Sequence, residues 1–141
     1  TFDTQFSMTE VKLGIIPGGG TALLKAGRVL DKIELPGDAQ FGIDLMKAVC
    51  QRPVRTIAQN AGVDGAVVAR RILKEKSETY GYNALTGEYG DMFQMGIVDP
   101  TKVTRSALQN ATSVATLLLT TDCLITEGKS EEDKAGAHGE M

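Results

Sequence analysis

The stretch IIPGGGTALLKAG, residues 15–27, decides how the rest of the chain is interpreted, because three glycines follow a proline and lead into an apolar, alanine-rich run. Glycine has no Cβ and adopts positive φ angles readily, so the triplet predicts a tight turn that another backbone or a ligand approaches closely. A helix that begins after such a turn offers unpaired backbone N–H groups to an anion such as phosphate. A plain tight turn and a ligand-binding turn both stay open at this point, and the plain turn is the more common use of glycine.

The triplet does not belong to a familiar phosphate-binding motif. No Gly-Lys-Ser/Thr follows at the distance that a P-loop requires. Leu23 stands where the dinucleotide-binding fingerprint has its third glycine. The turn therefore indicates a phosphate site only weakly when it is taken alone.

Apolar residues at spacings of three and four predict helices on the C-terminal side of the glycines. The first helix ends at LPGDAQ, residues 35–40, and the second begins at Asp38 as N-cap and is bent or ended by Pro53. A third helix carries Arg70 and Arg71 on a solvated face. The expected apolar faces are Ala22, Leu23, Ala26, Val29, Leu30 and Ile33; Phe41, Ile43, Leu45, Met46 and Val49; and Ala66, Val67, Ile72 and Leu73.

The second half of the chain combines a loop segment with one long helix. The stretch YGYNALTGEYGD, residues 80–91, is rich in turn-forming residues and predicts turns or a short hairpin. Asp99 is a suitable cap for the next helix, with Pro100 at its first position. That helix is expected to be buried on one side through Val103, Ala107, Leu108, Ala111, Val114, Ala115 and Leu118. DCLIT, residues 122–126, predicts a short strand, so the fold class is mainly α with one or two short β-strands.

Composition limits the classes of function. A chain of 141 residues with 42% hydrophobic residues predicts one folded domain, and a net charge of −3 argues against a nucleic-acid partner. Cys50 and Cys123 share no metal-ligand spacing, and the single histidine, His138, lies in a polar tail, so we expect no metal site and no histidine-based catalysis. We find no signal-peptide pattern and no apolar run long enough for a bilayer, so we expect an intracellular protein without a membrane partner.

Two polar residues have both a structural and a functional interpretation. Asn83 could bond a sugar or a base, although asparagine in such a segment more often bonds its own backbone. Asp99 could bind a ribose hydroxyl, although an Asp-Pro pair more often caps a helix. For each residue alone, the structural interpretation is the more common use of that residue type.

Taken together, these motifs resemble the group I chaperonins of GroEL type. The strings that carry the resemblance are GIIPGGGTALL, TIAQNAG, YGYNALTGEYGDM and MGIVDPTKVTRSALQNATSVATLLLTT. The similarity runs in unbroken order over residues 14–127, and it implies a partial equatorial domain, the C-terminal half of the nucleotide-binding and ring-forming domain. Residues 1–13 do not match the family pattern, and residues 128–141 are predicted to be a disordered tail.

The resemblance also implies a binding site for ATP or ADP. Gly19 is expected to approach the nucleotide, with Gly18 and Gly20 beside it. Asp99 matches the family's ribose-binding aspartate. The base-side contacts that match the family motif are Asn83, Ala84 and Leu85, with Leu85 where relatives often have a smaller residue. Mg²⁺ and K⁺ are implied as well, and their ligands are expected outside this chain.

The family is an ATPase, but its catalytic aspartate has no match here, so no catalytic residue is assigned and Asp3 is not given that role. We expect this chain alone not to hydrolyse ATP. The expected partners are other chaperonin subunits in a homo-oligomeric ring, and, through domains that this sequence does not include, a co-chaperonin and unfolded polypeptides. The implied location is the bacterial cytoplasm or an organellar matrix or stroma.

Two alternatives stay open. One is a truncated, non-catalytic chaperonin paralogue that acts as an association module. The other is a small phosphate-binding enzyme that shares only the glycine turn, and it would need a general base near its ligand.

Overall fold

The computed structural model describes residues 14–123 and residue 125. The elements in chain order are β1 (Ile15–Pro17), α1 (Thr21–Ala26), a 3₁₀-helix (Gly27–Lys32), α2 (Ala39–Asn60), α3 (Gly65–Lys74), β2 (Tyr80–Tyr82), β3 (Tyr89–Asp91), β4 (Val98–Pro100) and α4 (Thr101–Leu119). The prediction of a mainly α fold is confirmed. The predicted segments 1–13 and 128–141 lie outside the described residues.

The described residues form four short strands, whereas one or two were predicted. Within the described residues, β1 pairs with β4 and β2 pairs with β3, and both pairs are antiparallel. β1 and β4 are remote in sequence, and a strand of three residues is too short to show the alternation by which a strand is recognised. The hairpin predicted over residues 80–91 is confirmed as the pair β2 and β3.

The helix ends differ from the prediction in three places. The first helix is α-helical only to Ala26 and continues as the 3₁₀-helix. Asp38 occupies the N-cap position of α2, but its side chain accepts no capping hydrogen bond. α2 also continues through Pro53 to Asn60, because packing against its neighbours outweighs the one backbone hydrogen bond that proline removes. α3 has a capping residue, Asp64, whose side chain accepts from the N–H groups of Ala66 and Val67.

The apolar core joins α1, α2, α3 and β2. Its buried residues are Leu24, Val54, Ala58, Val68, Ala69, Ile72 and Tyr82. α2 contributes through its C-terminal half, whereas Phe41 and Leu45 in its N-terminal half are 73% and 60% exposed. Part of the apolar face in that first half is therefore exposed, because periodicity identifies an apolar face but not the length over which a partner covers it.

The chain divides into two compact units, Thr1–Ala107 and Leu108–Met141, and α4 runs from the first into the second. α4 has the predicted length, but none of its residues is buried, so its predicted burial was wrong. α4 begins at Thr101, so Asp99 and Pro100 belong to β4 rather than to the helix start. Of the predicted strand 122–126, the described residues Asp122, Cys123 and Ile125 are not in a strand.

Lys25 in α1 and Arg28 in the 3₁₀-helix donate hydrogen bonds to backbone carbonyls at the end of α3 and in the segment after it. Lys25 is fully buried, and its Nζ donates to the carbonyls of Glu75, at 3.1 Å, and Ser77. Arg28 donates to the carbonyls of Leu73 and Glu75. Carbonyls at a helix C-terminus lack intrahelical donors, so cations are stabilising there. Burial lowers the pKa of Lys25 from its ordinary value, and the nearby Arg28 charge adds to this effect.

We predict that Lys25→Met lowers the free energy of unfolding by about 1–3 kcal/mol, because the Ser77 carbonyl loses its donor and the Glu75 carbonyl keeps only Arg28. Urea denaturation followed by circular dichroism measures the change. Lys47→Met is the matched control, since Lys47 pairs with the exposed carboxylates of Asp31 and Asp44, and it should cost less than about 1 kcal/mol. Equal losses in the two variants would contradict the importance of the buried contacts.

Candidate functional site

The glycine turn lies between the backbones of two other segments. Gly19 and Gly20 have φ angles of 62° and 76°, in the left-handed region that glycine adopts without steric cost. The N–H of Gly18 donates to the carbonyl of Ile97 at 3.0 Å. A Cβ on Gly20 would stand 2.6 Å from the backbone nitrogen of Val54 in α2. The turn therefore needs glycine for close backbone approach.

Asp99 lies in the strand that pairs with the segment leading into the glycine turn. In the ladder of β1 and β4, Ile16 is the partner of Asp99. The N–H of Thr101 extends this pairing by donating to the carbonyl of Gly14 at 2.9 Å. Asp99 is half-buried. The ladder thus brings the segment leading into the glycine turn and the backbone of Asp99, far apart in sequence, to neighbouring strands.

Asn83 organises the loop between β2 and β3. Its side-chain oxygen accepts from the N–H groups of Leu85, at 3.0 Å, and Thr86, at 3.4 Å. Its backbone N–H donates to Glu88 at 2.8 Å, and its backbone carbonyl accepts from Gly87 at 2.9 Å. The side-chain oxygen therefore serves the loop's own backbone, and the amide nitrogen is the group that Asn83 has left for a ligand.

The two neighbours of Asn83 differ in their surroundings. Ala84 is half-buried and packs against the apolar core. Leu85 is 93% exposed at the outer part of the loop. The loop reaches the glycine turn through the end of β2, because the Tyr82 carbonyl oxygen lies 3.8 Å from the position of a Cβ on Gly19.

Sequence reasoning missed the residues beneath the turn. Met92 is fully buried, and its terminal methyl lies 3.3 Å from the position of a Cβ on Gly19. Thr21 is fully buried, and its hydroxyl has no hydrogen-bond partner among the described residues. A Cβ on Gly81 would overlap both side chains. The one sequence signal for this packing is an apolar methionine in a glycine-rich, polar stretch.

Asp91 fixes the turn that follows the hairpin. Its carboxylate accepts from the Thr79 hydroxyl and from the N–H of Gln94, the latter at 3.0 Å. The Thr79 hydroxyl, followed by the backbone N–H groups of Gln94 and Phe93, holds the pKa of Asp91 below its ordinary value. These bonds stabilise the charged carboxylate, so Asp91 supports the hairpin that carries Asn83.

The arrangement is suited to binding. The polar groups in this part of the fold are the backbone of the half-buried turn, the carboxylate of Asp99 in the paired strand and the amide of Asn83 in the loop after β2. Backbone N–H groups and an amide donate to phosphate or base acceptors, and a carboxylate accepts from sugar hydroxyls. Among the described residues, no three His, Cys, Asp or Glu side chains come together as a metal site.

A shallow pocket of about 80 Å³ lies elsewhere, beside the 3₁₀-helix and α2. It is lined by Leu24, Gly27, Arg28, Asp31, Lys47, Gln51 and Leu73, and it contains none of the predicted site residues. A cavity of this volume is smaller than the several hundred Å³ of a typical small-molecule site.

The chain matches the model of one protein family. The model of the TCP-1/cpn60 chaperonin family matches residues 7–129, which includes the glycine turn, the loop around Asn83 and the strand with Asp99. Among the helices between residues 14 and 123, none combines the length and the hydropathy of a membrane span.

We predict that Gly20→Ala destabilises the protein more than Gly37→Ala. Both glycines have positive φ, so alanine costs about 1–2 kcal/mol of backbone strain at either position. Only at Gly20 would the new Cβ also meet the α2 backbone, whereas at Gly37 nothing lies within 4 Å, so Gly20→Ala should cost about 1–3 kcal/mol more. Thermal and urea unfolding measure both variants, and equal losses would contradict the close approach of the turn and α2.

We also predict a pH-dependent contribution from Asp91. Its pKa is lower in the folded protein than in the unfolded chain, where it is about 3.9, so its stabilisation is complete above that value and disappears as the pH falls through the folded pKa. Asp91→Asn should therefore cost about 0.5–1 kcal/mol at pH 7 and progressively less below pH 4.

Urea unfolding at several pH values compares Asp91→Asn with the wild type. Thr79→Val, which removes the hydroxyl that donates to Asp91 and is also hydrogen-bonded to the Ser77 hydroxyl, is the matched variant and should lose part of the same pH dependence. A cost of Asp91→Asn that stays constant between pH 7 and pH 2 would contradict the assignment.

Proposed function

The chain belongs to the TCP-1/cpn60 chaperonin family, and from this premise we propose that it forms part of an ATP-dependent protein-folding chaperonin subunit of group I. It would supply part of the adenine-nucleotide site and part of the ring contacts, as the C-terminal half of an equatorial domain over residues 14–127. The observation that carries the proposal is the ladder of β1 and β4, which joins the glycine turn to Asp99.

The glycine turn is the proposed point of closest backbone approach to ATP or ADP. Gly19 would contact the nucleotide, with Gly18 and Gly20 beside it. The positive φ angles of Gly19 and Gly20 and the close backbone packing of Gly18 support this role. A side chain on the turn would occupy the space that a ligand and the neighbouring backbones share.

Asp99 and the loop after β2 would orient the sugar and the base. The half-buried Asp99 carboxylate would accept hydrogen bonds from ribose hydroxyls. Ala84 and Leu85 would lie beside the base, and Asn83 would donate from its amide nitrogen, since its oxygen already holds the loop. The exposed Leu85 side chain is free to contact a flat apolar surface such as adenine.

In this family, ATP supplies the energy for protein folding. Mg²⁺ and K⁺ would bind together with the nucleotide, and their protein ligands would lie outside this sequence. We assign no catalytic residue to this chain, so its part in the reaction is to bind and orient. The proposed partners are other subunits in a homo-oligomeric ring, with a co-chaperonin and unfolded polypeptides bound through other domains. The proposed location is the bacterial cytoplasm or an organellar matrix or stroma.

A second candidate function is that of a truncated, non-catalytic paralogue that associates with other chaperonin subunits. One observation favours it: the C-terminal part of α4 carries large apolar side chains that are 58–68% exposed at Val114, Leu117 and Leu118. Exposed apolar side chains in a group are typical of protein contacts. Association without nucleotide binding would support this candidate over the first.

We predict that ADP binds the wild-type chain and that Asp99→Ala weakens the binding about ten-fold or more, because a charged hydrogen-bond acceptor is lost. Isothermal titration calorimetry with unmodified ADP measures the affinity. Asp38→Ala is the matched control, since Asp38 is an exposed aspartate outside the ladder of β1 and β4, and it should bind like the wild type.

Size-exclusion chromatography with light scattering tests the association of the same samples. Failure of the wild type to bind ADP, or equal affinities for the wild type and Asp99→Ala, would overturn the nucleotide proposal. Oligomers that form in the absence of ADP binding would favour the association module.

A further inference from the structure

One buried side chain, Met92, lies between the two segments that carry the proposed nucleotide contacts. Its terminal methyl is 3.3 Å from the position of a Cβ on Gly19 in the turn. On the other side, its Sδ and Cγ atoms are 2.5 and 2.6 Å from the position of a Cβ on Gly81 in β2. Met92 therefore fills the space that two glycines leave open, and none of its side chain is exposed.

The backbone of Met92 joins the same segments by hydrogen bonds. Its N–H donates to the carbonyl of Thr79 at 2.9 Å, immediately before β2. Its carbonyl accepts from the N–H of Ile97 at 2.8 Å, and the carbonyl of Ile97 accepts from Gly18 at 3.0 Å. A continuous series of hydrogen bonds thus runs from the start of the hairpin through Met92 to the glycine turn.

We propose that Met92 is a positioning residue that sets the distance between the glycine turn and the base-side loop after β2. This inference rests on the proposed nucleotide-binding function, because Met92 would act through Gly19 and touch no nucleotide itself. An unbranched methionine is suited to the place, since its flexible thioether fills a narrow space between two backbones. Binding sites tolerate displacements of only about 0.5 Å, so the support beneath Gly19 matters for affinity.

The test compares Met92→Ala and Met92→Leu with Met95→Ala. Met95 lies in the same turn, but its terminal methyl contacts Gly90 rather than Gly19, so it controls for the loss of a methionine from this region. Amide hydrogen exchange measured by NMR reports how stably the Gly18 N–H is hydrogen-bonded to the Ile97 carbonyl. We expect the Gly18 amide to exchange about ten-fold faster in Met92→Ala and within about two-fold of the wild type in Met95→Ala.

ADP titration and methyl NMR provide the functional measurements. Met92→Ala should bind ADP about ten-fold more weakly than the wild type, and Met92→Leu, which keeps most of the buried volume, should recover most of the affinity. In the wild type labelled at its methionine methyls, ADP should shift the Met92 resonance, identified by its absence in Met92→Leu, and leave that of Met95 in place. If Met92 serves stability alone, the folded Met92→Ala protein should bind ADP as tightly as the wild type does. In that case ADP should also leave the Met92 resonance of the wild type in place.

The outcomes separate the two proposals. If the wild type binds ADP but Met92→Ala binds it equally well, or if the Gly18 amide is unaffected, the role of Met92 is overturned and the nucleotide site stands. If the wild type does not bind ADP, the proposed function fails and the positioning role fails with it, whatever the exchange rate of Gly18.

Discussion

The close contact of three backbones at the glycine turn is the constraint on which the first unit depends. Gly20 lies against the backbone of α2, and Gly18 lies against residues 97 and 98, where a Cβ would meet backbone atoms at 2.6 and 3.1 Å respectively. Any larger residue would force α2 or the segment before β4 away from the turn. The tight-turn and ligand-binding interpretations are therefore compatible, because the absence of side chains that allows this packing also leaves the backbone of the turn accessible to a small molecule.

Much of the fold of the first unit could be predicted from local patterns. Spacings of three and four predicted α1 and α3, and the density of glycine and asparagine predicted the hairpin of β2 and β3. The ladder of β1 and β4 could not be predicted, because its strands are too short for a pattern and their pairing depends on the whole intervening fold. The passage of α2 through Pro53 and the exposure of α4 are likewise decided by tertiary packing, which local periodicity does not contain.

Some residues of the candidate site could likewise be predicted from the sequence, and others could not. The glycine triplet, Asn83 and Asp99 are visible in the sequence, but each has a common structural use, and only the family resemblance grouped them. The structure gives Asn83 a structural use through its side-chain oxygen and sets Asp99 in the strand opposite Ile16. Met92 escaped notice because methionine carries no recognisable chemistry and its importance comes from the two glycines, remote in sequence, between which it packs.

The ladder of β1 and β4 also has a consequence for the order of folding. It pairs the first described strand with one that follows nearly the whole first unit, so its formation closes a long loop, whereas the hairpin of β2 and β3 closes a short one. Loop closure costs more entropy as the loop grows, and contacts of high sequence separation slow folding. The ladder is therefore expected to form late, after the helices have brought its strands together. During synthesis, the glycine turn would then remain without its partner strand until residue 100 has left the ribosome.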